Sequence, residues 1–189
     1  MHYAIYMPPG DQFSDPRLLA DLAQEAEQAG WDGFFIWDHV VLGCSDRVLD
    51  PWVGLSAVAM VTRRIRIGTM VTPIPRRRPW KLARETATLD RLSNGRLTLG
   101  VGTGLGAKEW DDLGEETSPK ARGKMLDEAL QVLAEPVIPP CCSVLIAHAL
   151  LDNCPRAAFS QEKSVMIELI PRLNSGVIHF CTHATSVLQ

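Results

Sequence analysis

No uninterrupted apolar stretch of about 20 residues, the length needed to cross a bilayer, occurs in the chain. The longest candidate, Val137 to Leu151, is broken by Pro139, Pro140 and His148. The start, Met1 to Gly10, lacks a basic segment followed by a long apolar one, so no secretory signal is read there and a cytoplasmic location is the expectation. A charge excess is missing too: a formal net charge of −3 and a pI near 5.9 provide no broad attraction for nucleic acid or an anionic membrane, and neither partner is expected. The five cysteines have no CxxC or zinc-type spacing, with Cys44 alone in the front part and Cys141, Cys142, Cys154 and Cys181 in the tail. An odd count fits reduced thiols better than a disulfide framework, and Cys181-Thr182-His183 is too sparse for a metal site, so no metal is expected. Glycine also runs out: of 14, only Gly176 lies beyond Gly123, so turn punctuation stops there.

What is present is the composition of a chain able to bury a core, with 46% hydrophobic residues in 189, a length that suits one domain. Tyr3 to Met7, Phe34 to Trp37, Ile65 to Val71 and Leu97 to Val101 are short, apolar and partly β-branched, as buried parallel strands are. Each is followed by a helical pattern. Asp15-Pro16, Asp50-Pro51 and Ser118-Pro119 put a side-chain acceptor at the N-cap and proline at the first helical position, where its missing N–H costs nothing. Pro79 opens a third helix to Leu92 without a polar cap. Leu18, Leu22, Ala26 and Ala29 mark the buried side of the first helix; Met125, Leu126, Ala129, Leu130 and Leu133 mark that of the last.

Four strand-helix units in about 133 residues fit a parallel α/β fold, either a doubly wound sheet or part of a TIM barrel, and length alone favours the sheet. From Ala134 on the rhythm is lost. The division is therefore residues 1–133 and an atypical tail, 134–189, in which Val165 to Ile170 and Val177 to Cys181 read as helical turn or strand.

In either fold the ligand site lies at the carboxyl ends of the strands. That rule selects Met7, Pro8 and Pro9; Trp37, Asp38 and His39; Thr69, Met70, Val71 and Thr72; and Gly102, Thr103, Gly104 and Gly106. His39 is the first candidate for proton chemistry, because imidazole donates or accepts near neutral pH, and Asp38 is placed to orient it or to touch substrate. Gly100 to Ala107 contains a formal GxGxxA match, but it follows the fourth strand and Lys108 to Asp112 reads as a polar loop, so a close-approach loop is favoured over a nicotinamide phosphate site. Arg76-Arg77-Arg78 has the chemistry for phosphate or carboxylate, against the alternative of a solvated loop; Arg63, Arg64 and Arg66 lie at the opposite end and need no functional role. Of the five tryptophans, most are packing anchors with a partner for the indole N–H, and Trp37 and Trp110 are placed to stack on a flat cofactor.

Gly30 to His39, Ile67 to Pro73, Arg77 to Glu85 and Leu89 to Gly102, in this order, resemble the luciferase-like monooxygenase family, whose members use FMN or coenzyme F420. The resemblance runs from about Met1 to Leu133. It implies an α/β, TIM-barrel-like, bacterial luciferase-like fold, truncated here to about four β/α units with an atypical tail, and overrides the length argument. It implies a non-prolyl cis peptide at Met70-Val71 beneath the cofactor ring, with His39 and Asp38 as catalytic residues and Met70, Val71, Thr72 and Gly104 as cofactor contacts, to which the strand-end rule adds Trp37 and Gly102. The activity implied is hydride transfer or flavin-dependent monooxygenation of a small organic substrate, the cofactor supplying the reactivity. The alternative is an inactive half-barrel fragment whose open sheet edges are covered by the tail or by a second copy in a homodimer.

Overall fold

The computed structural model describes residues 2–43, 45, 47–104, 107–134, 143–146 and 178–181. In chain order these form β1 (His2–Met7), α1 (Pro16–Gln28), β2 (Gly33–Ile36), α2 (Pro51–Val61), β3 (Arg66–Pro73), α3 (Pro79–Leu92), β4 (Leu97–Gly102), α4 (Ala107–Asp112), α5 (Pro119–Ala134), β5 (Ser143–Ile146) and β6 (Ile178–Cys181). The expected helix starts are in place. Asp15 accepts from the Arg17 amide at 2.8 Å, and Asp50 from those of Trp52 and Val53 at 2.9 and 3.0 Å, each cap worth about 1 kcal/mol. α3 begins after Arg78 with no side-chain cap.

The six strands form one parallel sheet in the order β5-β4-β3-β2-β1-β6. This order decides between the two folds left open by periodicity. A doubly wound sheet reverses its strand order part-way and carries helices on both faces. Here β1 to β5 advance in one direction, and α1, α2, α3 and α5 bury their apolar sides in a single cluster with Met7, Phe34, Ile36, Ile67, Leu97, Leu99 and Val101. The other face carries a separate, smaller cluster of Ala4, Phe35 and Met70, with Tyr6 and Val71 packed against it. One-sided winding is that of a TIM barrel. The sequence could not extend the strand rhythm into the tail, yet β5 adds to β4 and β6 adds to the free side of β1. Val165 to Ile170 lies outside the described residues.

β3 and β4 approach each other closely at Gly68. A Cβ built on Gly68 would lie 1.8 Å from the carbonyl oxygen of Thr98, so only glycine allows this approach. The register between these strands shifts between Thr69 and Thr72, the stretch that contains the cis peptide bond Met70-Val71. At the opposite ends of the strands Arg96 is buried and locks the base. Its guanidinium donates to the carbonyls of Ser93, Ile65, Ala59 and Thr62 and to Thr62 Oγ1, at 2.7–3.1 Å. Glu27 acts nearby, its carboxylate accepting the amides of Arg63, Arg64 and Ile65 at 2.6–3.1 Å. Arg63, Arg64 and Arg66 thus belong to the structural end, with Arg66 bonded to Thr98 and to the Leu97 carbonyl.

Two helix faces differ from the sequence reading. In α1 the buried residues are Leu19, Ala20, Ala23 and Ala26, while Leu18 is 37% exposed, because the face is centred one residue later than Leu18 and Leu22 suggest. In α5 Leu126 and Ala129 are buried, and Met125 opens to a groove beside Pro75 and Arg78. Among the described residues no helix is long and apolar enough to cross a membrane, and no cluster of metal-ligating side chains occurs.

Candidate active site

The carboxyl ends of β1 to β4 bring several of the selected residues together. Tyr6, Trp37 and His39 form a row, with ring centroids 5.6 Å apart at each step. Tyr6 donates from its hydroxyl to the Met70 carbonyl of the cis peptide, and burial pushes its phenol pKa up. Met70 is buried and Val71 half-buried beside them, and Gly102 is buried opposite Pro73. Among the described residues the buried Trp37 indole nitrogen has no hydrogen-bond partner. Tyr6, Trp37, His39, Met70 and Val71 therefore lie together, with Gly102 at the end of the neighbouring strand β4.

Asp38 does not orient His39. Its side chain is 1% exposed and both oxygens are spent on Arg77, with Nη2 at 2.7 and 2.8 Å and Nε at 3.2 Å. Arg76 Nη2 donates to the Asp38 carbonyl at 2.7 Å. The residue that meets His39 is Glu109, whose Oε2 lies 3.0 Å from Nδ1. Glu109 Oε1 accepts the amides of Val40 and Val41 at 2.7 and 3.1 Å, and Arg76 Nη1 lies 2.6 Å away, an ion pair rather than an aligned hydrogen bond. Burial pushes the Glu109 carboxyl pKa up, but the amides of Val41 and Val40, the Arg76 guanidinium and the His39 ring outweigh it and hold the group below the usual carboxylate range.

Sequence reasoning missed Glu109 because Lys108 to Asp112 read as a loop. It is the short helix α4. Trp110, expected as a stacking surface, is fully buried between two guanidinium groups, Arg76 at 5.3 Å and Arg122 at 4.5 Å from its ring centroid. Gly104 has φ +81°, and a Cβ there would meet the Trp110 ring at 2.5 Å, so this glycine serves the packing of α4. Thr72 is buried and donates to Thr69 Oγ1 at 2.8 Å. Arg76 and Arg77 are not a free anion site, since both are committed to carboxylates, and Arg78 lies over Trp80 at 5.9 Å. Nor do the indoles all find partners among the described residues: the nitrogens of Trp37, Trp52 and Trp110 are buried without one there. Gly106 lies outside the described residues.

The sequence profile described as luciferase-like monooxygenase matches residues 4–136. The chain belongs to that family. The chain is 34% identical over 151 residues to the uncharacterised protein Rv0953c of Mycobacterium tuberculosis, a match covering 70% of this chain and 52% of that one. Over 140 residues it is 37% identical to the F420-dependent glucose-6-phosphate dehydrogenase of Amycolatopsis mediterranei, covering 69% and 40%. The chain thus spans about half the length, or less, of these relatives. The crystal structure of the monooxygenase RslO1 from Streptomyces bottropensis superposes with a TM-score of 0.67 at 23% identity, covering 79% of this chain and 54% of that one, a likeness of fold. An F420-dependent secondary alcohol dehydrogenase in complex with an F420-acetone adduct matches with a TM-score of 0.61 at 26% identity, covering 70% and 40%. The fold is that of the TIM-barrel-like enzymes of this family.

Proposed function

We propose that the chain is an oxidoreductase that binds coenzyme F420 or FMN along the edge formed by Trp37, His39, Met70, Val71 and Gly102 and acts on a small organic substrate. The observation that carries this reading is the row of aromatic and imidazole rings beside the Met70-Val71 peptide, at the strand ends where the fold places ligands. The polar groups suit the rim of a flavin or deazaflavin, which carries both donors and acceptors: among the described residues the buried Trp37 N–H has no acceptor, and His39 is engaged by Glu109 through Nδ1. When bound, such a cofactor supplies hydride-transfer or oxygen-activating chemistry. The protein's part is to hold the ring edge with His39 and Trp37 and to support it with Met70 and Val71. Asp38, through Arg77, fixes the backbone from which His39 projects, while Thr72 and Gly104 support the edge from behind.

The named relatives include F420-dependent dehydrogenases, which favours the deazaflavin. One observation favours a second reading, a family member that has lost tight cofactor binding. Among the described residues the strand-end guanidinium groups of Arg76 and Arg77 are spent on Asp38 and Glu109, leaving the phosphate end of a cofactor without a cation there. Titration of the purified chain with FMN and with coenzyme F420, followed by absorbance and tryptophan fluorescence, separates the two: saturable micromolar binding of either supports the oxidoreductase, and no response to both supports the second. Pairing of two copies is proposed as cover for an open sheet edge; light scattering at twice the monomer mass is the expected result.

A further inference from the structure

A single carboxylate makes two kinds of contact at the site, and the sharing has a chemical consequence. Glu109 Oε1 lies in a nest of donors, the Val40 and Val41 amides and Arg76, which present N–H groups only and cannot accept. Its other oxygen, Oε2, faces Nδ1 of His39. The side chain is 7% exposed, so water does not replace these partners, and among the described residues the surrounding ionisable groups are Arg76, His39 and, through Arg76, Asp38 with Arg77. A carboxylate so surrounded is an acceptor at both oxygens.

We propose that Glu109 is a positioning residue that fixes the tautomer of His39, drawing the ring proton to Nδ1 and leaving the lone pair on Nε2, while the same carboxylate holds the start of the β2–α2 loop through Val40 and Val41. The imidazole is thereby tied to the loop that follows it, and neither moves without the other. The proposal rests on the reading of His39 as a ring-facing group for its use, but not for its test, which needs no cofactor. A neutral amide in place of Glu109 gives a specific result. In Glu109→Gln the carbonyl oxygen must turn to the Val40 and Val41 amides and Arg76, because the NH2 group cannot sit among three donors. The NH2 group then faces Nδ1, which becomes the acceptor, and the ring proton moves to Nε2.

The experiment is two-bond 1H–15N correlation of 15N-histidine-labelled protein without ligand, at mildly alkaline pH, with His39 assigned by its loss in His39→Asn. The wild type is expected with Nδ1 protonated and Nε2 bare, and Glu109→Gln with the two reversed. In Glu109→Ala the amides of Val40 and Val41 are expected to exchange about tenfold to a hundredfold faster, the loss of a charge-assisted bond. Protonated Nε2 in the wild type overturns the proposal, and so does an unchanged tautomer in a folded Glu109→Gln protein. Should that variant fail to fold, the wild-type tautomer decides alone. A protein that shows the expected tautomer but binds neither FMN nor F420 sinks the oxidoreductase reading and leaves this one standing.

Discussion

Replacing Asp38 by alanine separates a structural anchor from a catalytic acid. Its carboxylate is 1% exposed and receives three contacts of 2.7–3.2 Å from Arg77, with Arg76 Nη2 at 3.7 Å. Removing one member of a buried pair leaves the other charge unpaired, typically at a cost of 3–5 kcal/mol. Arg77 is 20% exposed and lies over the Trp52 ring at 5.6 Å, so water and the indole relieve part of that cost and the lower end applies, about 3 kcal/mol. With a urea slope of about 2 kcal/mol/M the midpoint falls by roughly 1.5 M. Arg77→Ala alone strands the carboxylate and costs a similar amount. The double variant loses both charges together, so the two penalties do not add, and a coupling of about 2 kcal/mol is expected from the cycle. The assay is urea unfolding followed by tryptophan fluorescence for the four proteins of the cycle. Additive losses, or a single loss below about 1 kcal/mol, would refute the anchoring role and return Asp38 to the chemistry.

Gly68→Ala sets a methyl group 1.8 Å from the Thr98 carbonyl oxygen, so β3 and β4 must separate; a loss at or above the overpacking range of about 1–3 kcal/mol is expected, with lowered thermal midpoint by calorimetry. Arg96→Met keeps bulk but leaves buried acceptors at Ala59, Thr62, Ile65 and Ser93 unpaired, and a loss of about 3 kcal/mol or more in urea unfolding is expected, whereas a change under about 1 kcal/mol contradicts the clamp. Glu27 gives a pH signature: although burial raises its pKa, the amides of Ile65, Arg64 and Arg63 and the Arg64 charge lower it on balance. A folded pKa below the unfolded one means that this contribution to stability is complete above the ordinary value of 4.5 and is lost as pH falls through the lower folded value. The stability difference between wild type and Glu27→Gln, measured against pH, should therefore shrink on acidification below 4.5, and a difference that grows there contradicts the bonding described.

Local signals served well where local physics decides the structure. The Asp15-Pro16 and Asp50-Pro51 caps, the apolar strands and the linked motifs around Trp37-Asp38-His39 and Met70-Val71 were legible, because capping, strand burial and family pattern are all carried by neighbours in sequence. The choice between doubly wound sheet and barrel was not legible from periodicity, since both use the same βα unit and differ only in strand order; the family resemblance supplied it. Within the site, the row of strand-end residues followed from a topological rule, but their partners did not. Glu109 meets His39 across 70 positions, and Arg77 meets Asp38 across 39, distances over which composition is silent. A signal for Glu109 did exist: it follows the fourth strand, within the same set of strand-end loops. α4 has six residues, too few for helical periodicity to show, so its buried Glu109 and Trp110 looked like a polar loop.

The placement of the cofactor ring beside Trp37 is tested most directly by the five indole N–H resonances of 15N-tryptophan-labelled protein, recorded before and after saturation with coenzyme F420 or FMN. The account predicts a large shift of Trp37, whose buried nitrogen has no partner among the described residues, and unmoved signals from Trp31 at the opposite end of β2 and Trp80 on the outside of α3. A spectrum in which Trp31 or Trp80 moves while Trp37 stays would contradict it.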